Sequence, residues 1–396
     1  MELLDDARAQ QDDLVALRRA LHADPEIGLE LPRTQEKVLA ALDGLPLEVT
    51  PGSPGLSSVV GVLRGGRSSG RSVLLRADMD ALPVVEETGL DFAATNGAMH
   101  ACGHDLHTSM LVGAARLLSA HRDELGGDVI FMFQPGEEGY DGARHMVEAG
   151  VLDAAGARPE AAFFMHVASS TFPSGAVAVR PGPMMAAADV LHVEVIGSGG
   201  HASTPHRAQD PIAVAAEIVT ALQTLVTRQF DVFDPVVVTV GSFHAGSQQN
   251  IIAERATFDA TVRSFSPEHQ KAISERAVKL CRGIAEAHGL RAHVEWQTLY
   301  PVTRNDPAEA AFLSDTVAAL FGAPAAILLP NPHTGSEDFS RVLDEVPGAM
   351  AFLGATAPGR DPETAPFNHS PQAMFDEDVL ASGAALYARL AVDRLA

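Results

Sequence analysis

Residues 129–139 read VIFMFQPGEEG: an apolar run from Val129 to Phe133, the turn Gln134-Pro135-Gly136, then Glu137, Glu138 and Gly139. A short, unbroken apolar run rich in β-branched and aromatic residues, closed by a Pro-Gly turn, predicts a strand buried on both faces. The same grammar recurs along the chain. Residues 72–76 (SVLLR) run into Ala77-Asp78-Met79-Asp80, and residues 161–165 run into His166. Residues 58–63, 326–329 and 349–353 are further strand-like runs, the first flanked by loops in the Gly-, Ser- and Pro-rich stretch 52–70. Between the runs lie helical spacings: Leu106, Met110, Leu111, Ala114, Leu117 and Leu118, then residues 142–150, 307–321 and a last helix from Asp376. Upstream, residues 3–22 predict one amphipathic helix, and residues 35–42 a second. Strands alternating with helices predict an α/β fold with a mostly parallel sheet and helices on both faces. Ligands bind beyond the carboxyl ends of such strands. Asp78, Asp80, Glu137, Glu138 and His166 each follow a predicted strand at once, so they are expected to share one site.

From about Met185 the pattern changes. Residues 190–196 alternate like a half-buried strand; 210–229 read as a helix, 236–242 and 257–264 as strands, 267–288 as a helix with Pro267 in its first turn, and 291–297 as a strand. The order β-α-β-β-α-β is that of a ferredoxin-like α+β sandwich. The expected division is a catalytic domain of residues 1–184 and 299–396 with an inserted domain of residues 185–298. No internal repeat interrupts it.

Composition bounds the function. At 396 residues two domains are the expectation. Apolar residues make up 46% and charged residues 20%, the balance of a globular protein. A formal net charge of −23 repels phosphate backbones, which argues against nucleic acid and anionic membrane surfaces as partners. No apolar run approaches the ~18 residues of a membrane span, and the acidic start MELLDDARAQQDDL is unlike a secretion signal. Two cysteines, Cys102 and Cys281, provide no disulfide framework, and a reducing cytoplasmic setting is expected. Cys281 falls in the helical pattern Val278, Cys281, Ile284, Ala285 and reads as a small core residue.

Cys102 lies in the densest cluster of metal-binding side chains, His100-Ala101-Cys102-Gly103-His104-Asp105, on the loop leading into a predicted helix. A thiolate and a neutral imidazole suit zinc and similar ions. Cys102 and His104 are two apart, so an extended segment would point both the same way. With Glu138, His166 and His369 they make five candidate ligands, which suits two ions ~3.5–4 Å apart sharing one ligand better than one ion. Glu137 and Glu138 are neighbours whose side chains diverge, so one can hold metal while the other serves as general base. Taken singly these residues have plain explanations: a glutamate pair is commonly a solvated turn, a histidine after a strand a bonded core residue, Asp78 and Asp80 turn caps. Their shared placement after parallel strands joins them. His107, His121, His145 and His333 receive no role.

The segments RRALHADPEIGLE, RADMDALP, HACGHD, FQPGEEG, MHV, GSGGHASTPH, FHAGSQQNIIAE, SEDFS and NHSP occur in the order seen in M20-family metallopeptidases. The chain resembles their amidohydrolase branch, which includes hippurate hydrolases, N-acyl-amino-acid amidohydrolases and auxin-conjugate hydrolases, over essentially its whole length. The resemblance implies a zinc-exopeptidase-like catalytic domain whose insertion is a lid and dimerisation domain. It implies that Cys102 bridges two ions, that His104 and His166 serve one and Glu138 and His369 the other. Glu137 would be general base and then acid, and Asp80 would orient a ligand imidazole. Asp78 stands where other branches carry a metal histidine. His201 matches a histidine that reaches a neighbouring active site and steadies the oxyanion; Asn250 and Arg263 match positions that meet the substrate carboxylate. Arg76 or Arg263 is expected to offset the acidic field for an anionic substrate. The chain departs from the family pattern at Gly136 (commonly alanine), Ser336 (alanine), Asn368 (leucine), Gln248 and Gln249 (smaller residues) and Ala253 (proline), none of them a proposed ligand.

The activity so implied is hydrolysis of the amide bond of an N-acyl amino acid by a metal-bridging water that Glu137 activates, in a homodimer or higher homo-oligomer. Thiolate ligation favours zinc or cobalt over manganese, although the family also tolerates manganese and nickel. Two rival readings are a cysteine-nucleophile amidase using Cys102 with His104 or His100 as base, and a non-catalytic metal-binding paralogue. A zinc nucleobase deaminase is disfavoured, because no PCxxC follows the His/Glu elements.

Overall fold

The computed structural model describes residues 2–67 and 70–396; Met1, and Ser68 and Ser69 of the Gly/Ser-rich stretch after Leu63, lie outside the described residues. The chain divides into two compact units: one of Met1–Met184, Arg304–Asn331 and Asp338–Ala396, the other of Met185–Thr303 and Pro332–Glu337.

The first unit is built on an eight-stranded sheet. Its strands are β1 (Leu47–Pro51), β2 (Val59–Leu63), β3 (Ser72–Asp78), β4 (Asp128–Gln134), β5 (Ala161–Ala168), β6 (Val177–Val179), β7 (Ala326–Leu328) and β8 (Gly348–Gly354). In space they run β1-β2-β4-β3-β5-β8-β6-β7. The four in the middle, β4-β3-β5-β8, are parallel. β1 and β2 join antiparallel on one side, and β6 runs antiparallel to β8 on the other. Every residue of β3, β4, β5 and β8 is buried, which is why these strands read as continuous apolar runs rather than alternating ones. Strands β1 and β6 have no such signature. Leu47-Glu48-Val49-Thr50-Pro51 is a half-exposed edge that ends in proline, and Val177-Ala178-Val179 is three residues long.

Helices α1 (Gln11–His22), α2 (Pro32–Leu42), α3 (His104–Ala120), α4 (Pro307–Phe321) and α5 (Val379–Arg394) share one core with Val73, Leu75, Phe131, Phe133 and Phe163 of the sheet. The alternate residues Leu74, Ile130 and Met132 point to the other face, and the short helices Gly142–Glu148 and Ser340–Leu343 lie on that side. Helix α3, the crossover from β3 to β4, is buried over nearly its whole circumference. It approaches α5 through small residues: a Cβ on Gly383 would fall 2.0 Å from Met110 Sδ, and one on Gly113 2.8 Å from Ala384 Cβ.

The predicted helix over residues 3–22 is two helices, Leu3–Arg8 and α1, broken at Ala9 and Gln10. The reason is tertiary. Gln11 at the start of α1 donates from Nε2 to Glu377 O (2.8 Å) and accepts at Oε1 from Ala381 N (3.1 Å), tying that turn to the beginning of α5.

The second unit has its own antiparallel sheet, in the order Val236–Ala245, Arg255–Ser264, Ala187–Ile196, Arg291–Tyr300. Helices Pro211–Gln229 and Pro267–Ala287 pack on one face, burying Ala256, Phe258, Ala260 and Val262 along a single strand. Both begin with proline after an aspartate or serine cap: Asp210 Oδ1 accepts Ile212 N (2.9 Å) and Ser266 Oγ accepts His269 N (3.1 Å). No helix among the described residues is long and apolar enough to cross a membrane.

Candidate metal centre

The candidate ligands reach one place from four directions in the first unit. Helix α3 begins at His104, and the turn before it carries Cys102. The pair thus lies where the loop runs into the helix, as expected, and not in an extended segment, the condition under which its spacing would point both side chains the same way. Gly103 between them is left-handed (φ 85°), and a Cβ there would lie 2.3 Å from Val167 Cγ2, so this bend against β5 requires glycine. His166 lies inside β5 rather than after it, because the strand continues to Ala168. Glu137 and Glu138 open a short helical turn, Glu137–Tyr140, after a left-handed Gly136. His369 comes from the loop before α5. Its backbone is also left-handed (φ 72°), and its N–H donates to Ala101 O (2.9 Å), which pins it to the Cys102 turn.

Cys102 Sγ is the common point. It lies 3.3 Å from His166 Nε2 and 3.2 Å from His369 Nε2. Two trios share it, Cys102-His104-His166 and Cys102-Glu138-His369, each with donor atoms within 4.8 Å of one another. Glu137 joins His104 and Glu138 in a third group at the same spacing. His369 Nε2 is 3.1 Å from Glu138 Oε1. The ring orientations fit ligation. His166 donates from Nδ1 to Val167 O (2.8 Å) and His104 from Nδ1 to Asp80 O (2.9 Å), which leaves each Nε2 as a lone-pair donor.

The electrostatics point the same way. His104 Nε2 is buried without a hydrogen-bond partner. Bonds to Cys102 and Glu138 push His369 up to about 10. Burial opposes charge on His104, yet Asp78, Asp80 and Cys102 hold it well above the usual histidine value. Burial works against Glu138 too, and His369 and His104 nevertheless keep its carboxyl below its usual range. An ionised carboxylate beside two imidazoles that hold protons this strongly fits divalent cations, which would take the protons' place.

Around the donors lies a layer of polar side chains, of which only Asp80 had an expected role, orienting a ligand imidazole. Both Asp80 oxygens are used by backbone: Oδ1 accepts Glu137 N and Oδ2 accepts Glu138 N, each at 3.0 Å. Asp80 thus fixes the glutamate turn, while its carbonyl orients His104. Arg76 is fully buried, donating to Asp78 Oδ2 (2.6 Å) and Asp338 Oδ1 (2.8 Å) with its guanidinium 4.2 Å over the Phe164 ring. The expectation that Arg76 offsets the acidic field for substrate is corrected: its charge is matched inside the protein. Asp78 Oδ1 accepts His107 Nδ1–H (2.5 Å). Burial favours the neutral acid, but Arg76, His104 and His107 hold the Asp78 carboxyl well below the usual carboxylate range. Asn368 donates from Nδ2 to Cys102 O (3.1 Å) and Val167 O (3.0 Å), and its Oδ1 accepts Ser169 N (2.9 Å). It cross-links three ligand segments, which the leucine common at this position could not do. Arg76, Asp78 and Asp80 lie in RADMDALP, Asp338 in SEDFS and Asn368 in NHSP, but the segments do not tell what each side chain holds.

His201, Asn250 and Arg263 belong to the second unit. His201 and Asn250 are brought together: Ile251 pairs with His201, and Ala202 N donates to Asn250 O (3.0 Å). The His201 side chain is exposed, and its Nδ1 accepts Ser203 N–H (3.1 Å), so the ring proton sits on Nε2. Arg263 lies near the other end of the strand Arg255–Ser264, which separates it from the His201 end by ~25 Å at about 3.3 Å per residue. It donates to Thr261 Oγ1 (2.8 Å) and Val262 O (3.1 Å).

Residues 74–393 match peptidase family M20/M25/M40. Thermostable carboxypeptidase 1 of Saccharolobus solfataricus is 37% identical to this chain, covering 99% of it and 98% of the relative. Hippurate hydrolase of Campylobacter jejuni is 35% identical over the full length of both. The crystal structure of a dinuclear metal-binding M20 peptidase from Bacillus subtilis superposes with a TM-score of 0.83 at 32% identity, covering 98% of this chain and 99% of that one. The sheet that gathers the donors, the donors themselves and the full-length likeness agree: this chain is a hydrolase of peptidase family M20/M25/M40.

Proposed function

We propose that the chain hydrolyses the amide bond of N-acyl amino acids, with Cys102, His104, Glu138, His166 and His369 holding two divalent cations, zinc by the softness of the shared thiolate. The observation that carries this reading is the pair of donor trios meeting at Cys102 Sγ with the Glu137 carboxylate within 4.8 Å of His104 and Glu138 donor atoms. When bound, the cations would act as Lewis acids toward the amide carbonyl and make water a better nucleophile at neutral pH. Glu137 takes the proton from the attacking water and delivers it to the amide nitrogen as the C–N bond breaks. Asp80, through two backbone N–H groups, keeps the Glu137 and Glu138 turn in one geometry. His201, with its proton on Nε2, is suited to donate to the developing oxyanion, and Asn250 beside it to meet the substrate carboxylate; Arg263, ~25 Å from that pair at about 3.3 Å per residue, is assigned to the substrate carboxylate of the other copy's site. His201 is assigned to the active site of a second copy, in a homodimer. The name of the hippurate hydrolase relative supports an N-acyl amino acid as substrate.

The test is metal content together with release of free amino acid from hippurate and N-acetyl amino acids, with and without chelator. About two ions per chain and chelator-sensitive release are expected. Glu137→Gln should keep its metal and lose ~10²–10⁴-fold in kcat, the range of general-base removal. The contacts of Cys102 Sγ with His166 and His369 also suit a thiolate nucleophile. Turnover that survives metal removal would favour that reading and exclude the first.

A further inference from the structure

His107 and Asp78 lie outside the proposed donor set, yet both are fully buried in direct contact with it. Each polar atom they carry is engaged in one direction only. Arg76 can only donate, and it donates to Asp78 Oδ2 (2.6 Å). Asp78 Oδ1 accepts from His107 Nδ1 (2.5 Å), and His107 Nε2 accepts the backbone N–H of Val167 (2.7 Å). A backbone N–H cannot accept, so His107 Nε2 carries no proton and His107 is a neutral ring protonated at Nδ1. The carbonyl of the same Val167 accepts from His166 Nδ1 (2.8 Å) and Asn368 Nδ2 (3.0 Å). The Val167 residue is therefore gripped at both its N–H and its C=O, and the grip sets the ring of His166.

We infer that Asp78 and His107 are positioning residues: Arg76 and Asp78 fix the tautomer of His107, and His107 holds Val167 so that His166 Nε2 faces Cys102. This rests on the reading of His166 as a metal ligand. It gives Asp78, which stands in place of a metal histidine, a role through its neighbours rather than on the ion.

The isosteric change Asp78→Asn exposes the logic. An asparagine has one acceptor and one donor end. If its oxygen faces Arg76, its NH₂ faces His107 Nδ1, and the ring must then carry its proton on Nε2, against the Val167 N–H. If its NH₂ faces Arg76, two donors meet there instead. Either way a donor confronts a donor in a buried site. Glutamine at position 107 can still accept from Val167 and donate to Asp78; leucine can do neither.

The direct experiment is long-range ¹H–¹⁵N correlation on the zinc-loaded, ¹⁵N-histidine-labelled protein, with the His107 signals assigned by their loss in His107→Gln. A protonated Nδ1 with a strongly deshielded proton and a bare Nε2 are expected. A protonated Nε2 overturns the inference, and the only variant this readout needs is His107→Gln, which keeps both hydrogen bonds. The second measurement is zinc affinity by chelator competition. Asp78→Asn and His107→Leu should each weaken binding ~10–100-fold, the usual effect of losing a partner that orients a ligand, and His107→Gln should restore most of it. Correctly folded Asp78→Asn and His107→Leu proteins that bind zinc as tightly as the unaltered protein would also overturn it. Unaltered protein that takes up no zinc would sink the proposed function while leaving the tautomer measurement to stand or fall alone.

Discussion

Gly136 adopts φ 73°, and a Cβ there would lie 2.5 Å from Leu29 Cδ2. Replacing it with the alanine usual at this position should cost about 1–2 kcal/mol for the left-handed backbone, with a further cost for displacing Leu29. A lowered thermal midpoint checks this; an unchanged one would mean that the Pro135–Gly136 turn relaxes freely. The two thiols should separate by chemistry. Cys281 is buried in the second unit's core, and burial pushes it up to about 12, so it should resist thiol reagents until the protein unfolds. Cys102 should be shielded by metal and react after chelation, so that titration reads none, then one, then two thiols per chain. A second thiol reacting before unfolding would contradict the placement of Cys281. At this scale the sequence pointed to the candidate donors but, Asp80 apart, not to what holds them. Glu137, Glu138 and His166 announce themselves by residue type at strand ends, Cys102 and His104 by the density of the cluster at residues 100–105, and His369 by the NHSP segment. His107, Asn368 and Asp338 are ordinary polar residues whose importance comes from partners far away in sequence, as when Asp338 Oδ2 accepts Ala143 N and Gln134 Nε2.

Among elements, α1 shows how the metal turn is supported from outside the sheet. Arg18 Nε lies 2.8 Å from Asp105 Oδ2, and His22 Nδ1 meets the same oxygen at 2.8 Å; all three side chains are buried. Asp105 directly follows His104, so α1 braces the first turn of α3. The periodicity over residues 3–22 predicted the helix but not its break, because Gln11 answers to backbone groups of Glu377 and Ala381 that no local pattern can foresee. Removing the guanidinium in Arg18→Met leaves a buried carboxylate short of its charge partner and should cost about 3–5 kcal/mol, read as a fall in denaturation midpoint. His22 adds a pH dependence. Burial works against its charged form, but Asp105 and Glu86 together hold it above the usual histidine value; Arg18 and the neutral His100, pushed down to about 3 by burial, also face it. A raised folded-state value contributes stability that is full below the unfolded value, about 6.5, and lost as pH climbs through the folded one. The melting difference between the unaltered protein and His22→Gln should therefore shrink from about pH 6 upward. A difference that is constant or grows over that window would rule out His22 as its source.

For the whole molecule, the decisive feature is that its two units keep separate cores. Continuous apolar runs made the parallel centre of the first sheet readable, since strands buried on both faces cannot alternate. The antiparallel margins β1 and β6 escaped because short, half-exposed or proline-ended strands resemble loops. In the second unit the alternation over residues 190–196 was readable for the opposite reason: Leu191, Val193 and Val195 are buried in the core and the residues between them are only half-buried. Its core also includes Leu191, Val193, Ile218, Leu222, Ile273 and Cys281, all fully buried and all within residues 185–303. Both helices are capped by residues of the same segment, and the four strands, all from that segment, form one open sheet. A segment of this size with its own sheet and its own core meets the physical requirements of an independent domain. Residues 185–303 expressed alone should accordingly unfold in one cooperative transition and bind no zinc tightly, since Cys102, His104, Glu138, His166 and His369 all lie outside the fragment. A fragment without a cooperative transition would mean that residues 332–337, the other piece of the unit, are needed to close it: Ala186 N donates to His333 O (3.1 Å) and Gly335 O (2.9 Å). Adding that peptide in trans would then raise the fragment's midpoint with peptide concentration, whereas a fragment that stays unfolded with the peptide present would show that the two cores are not energetically separable.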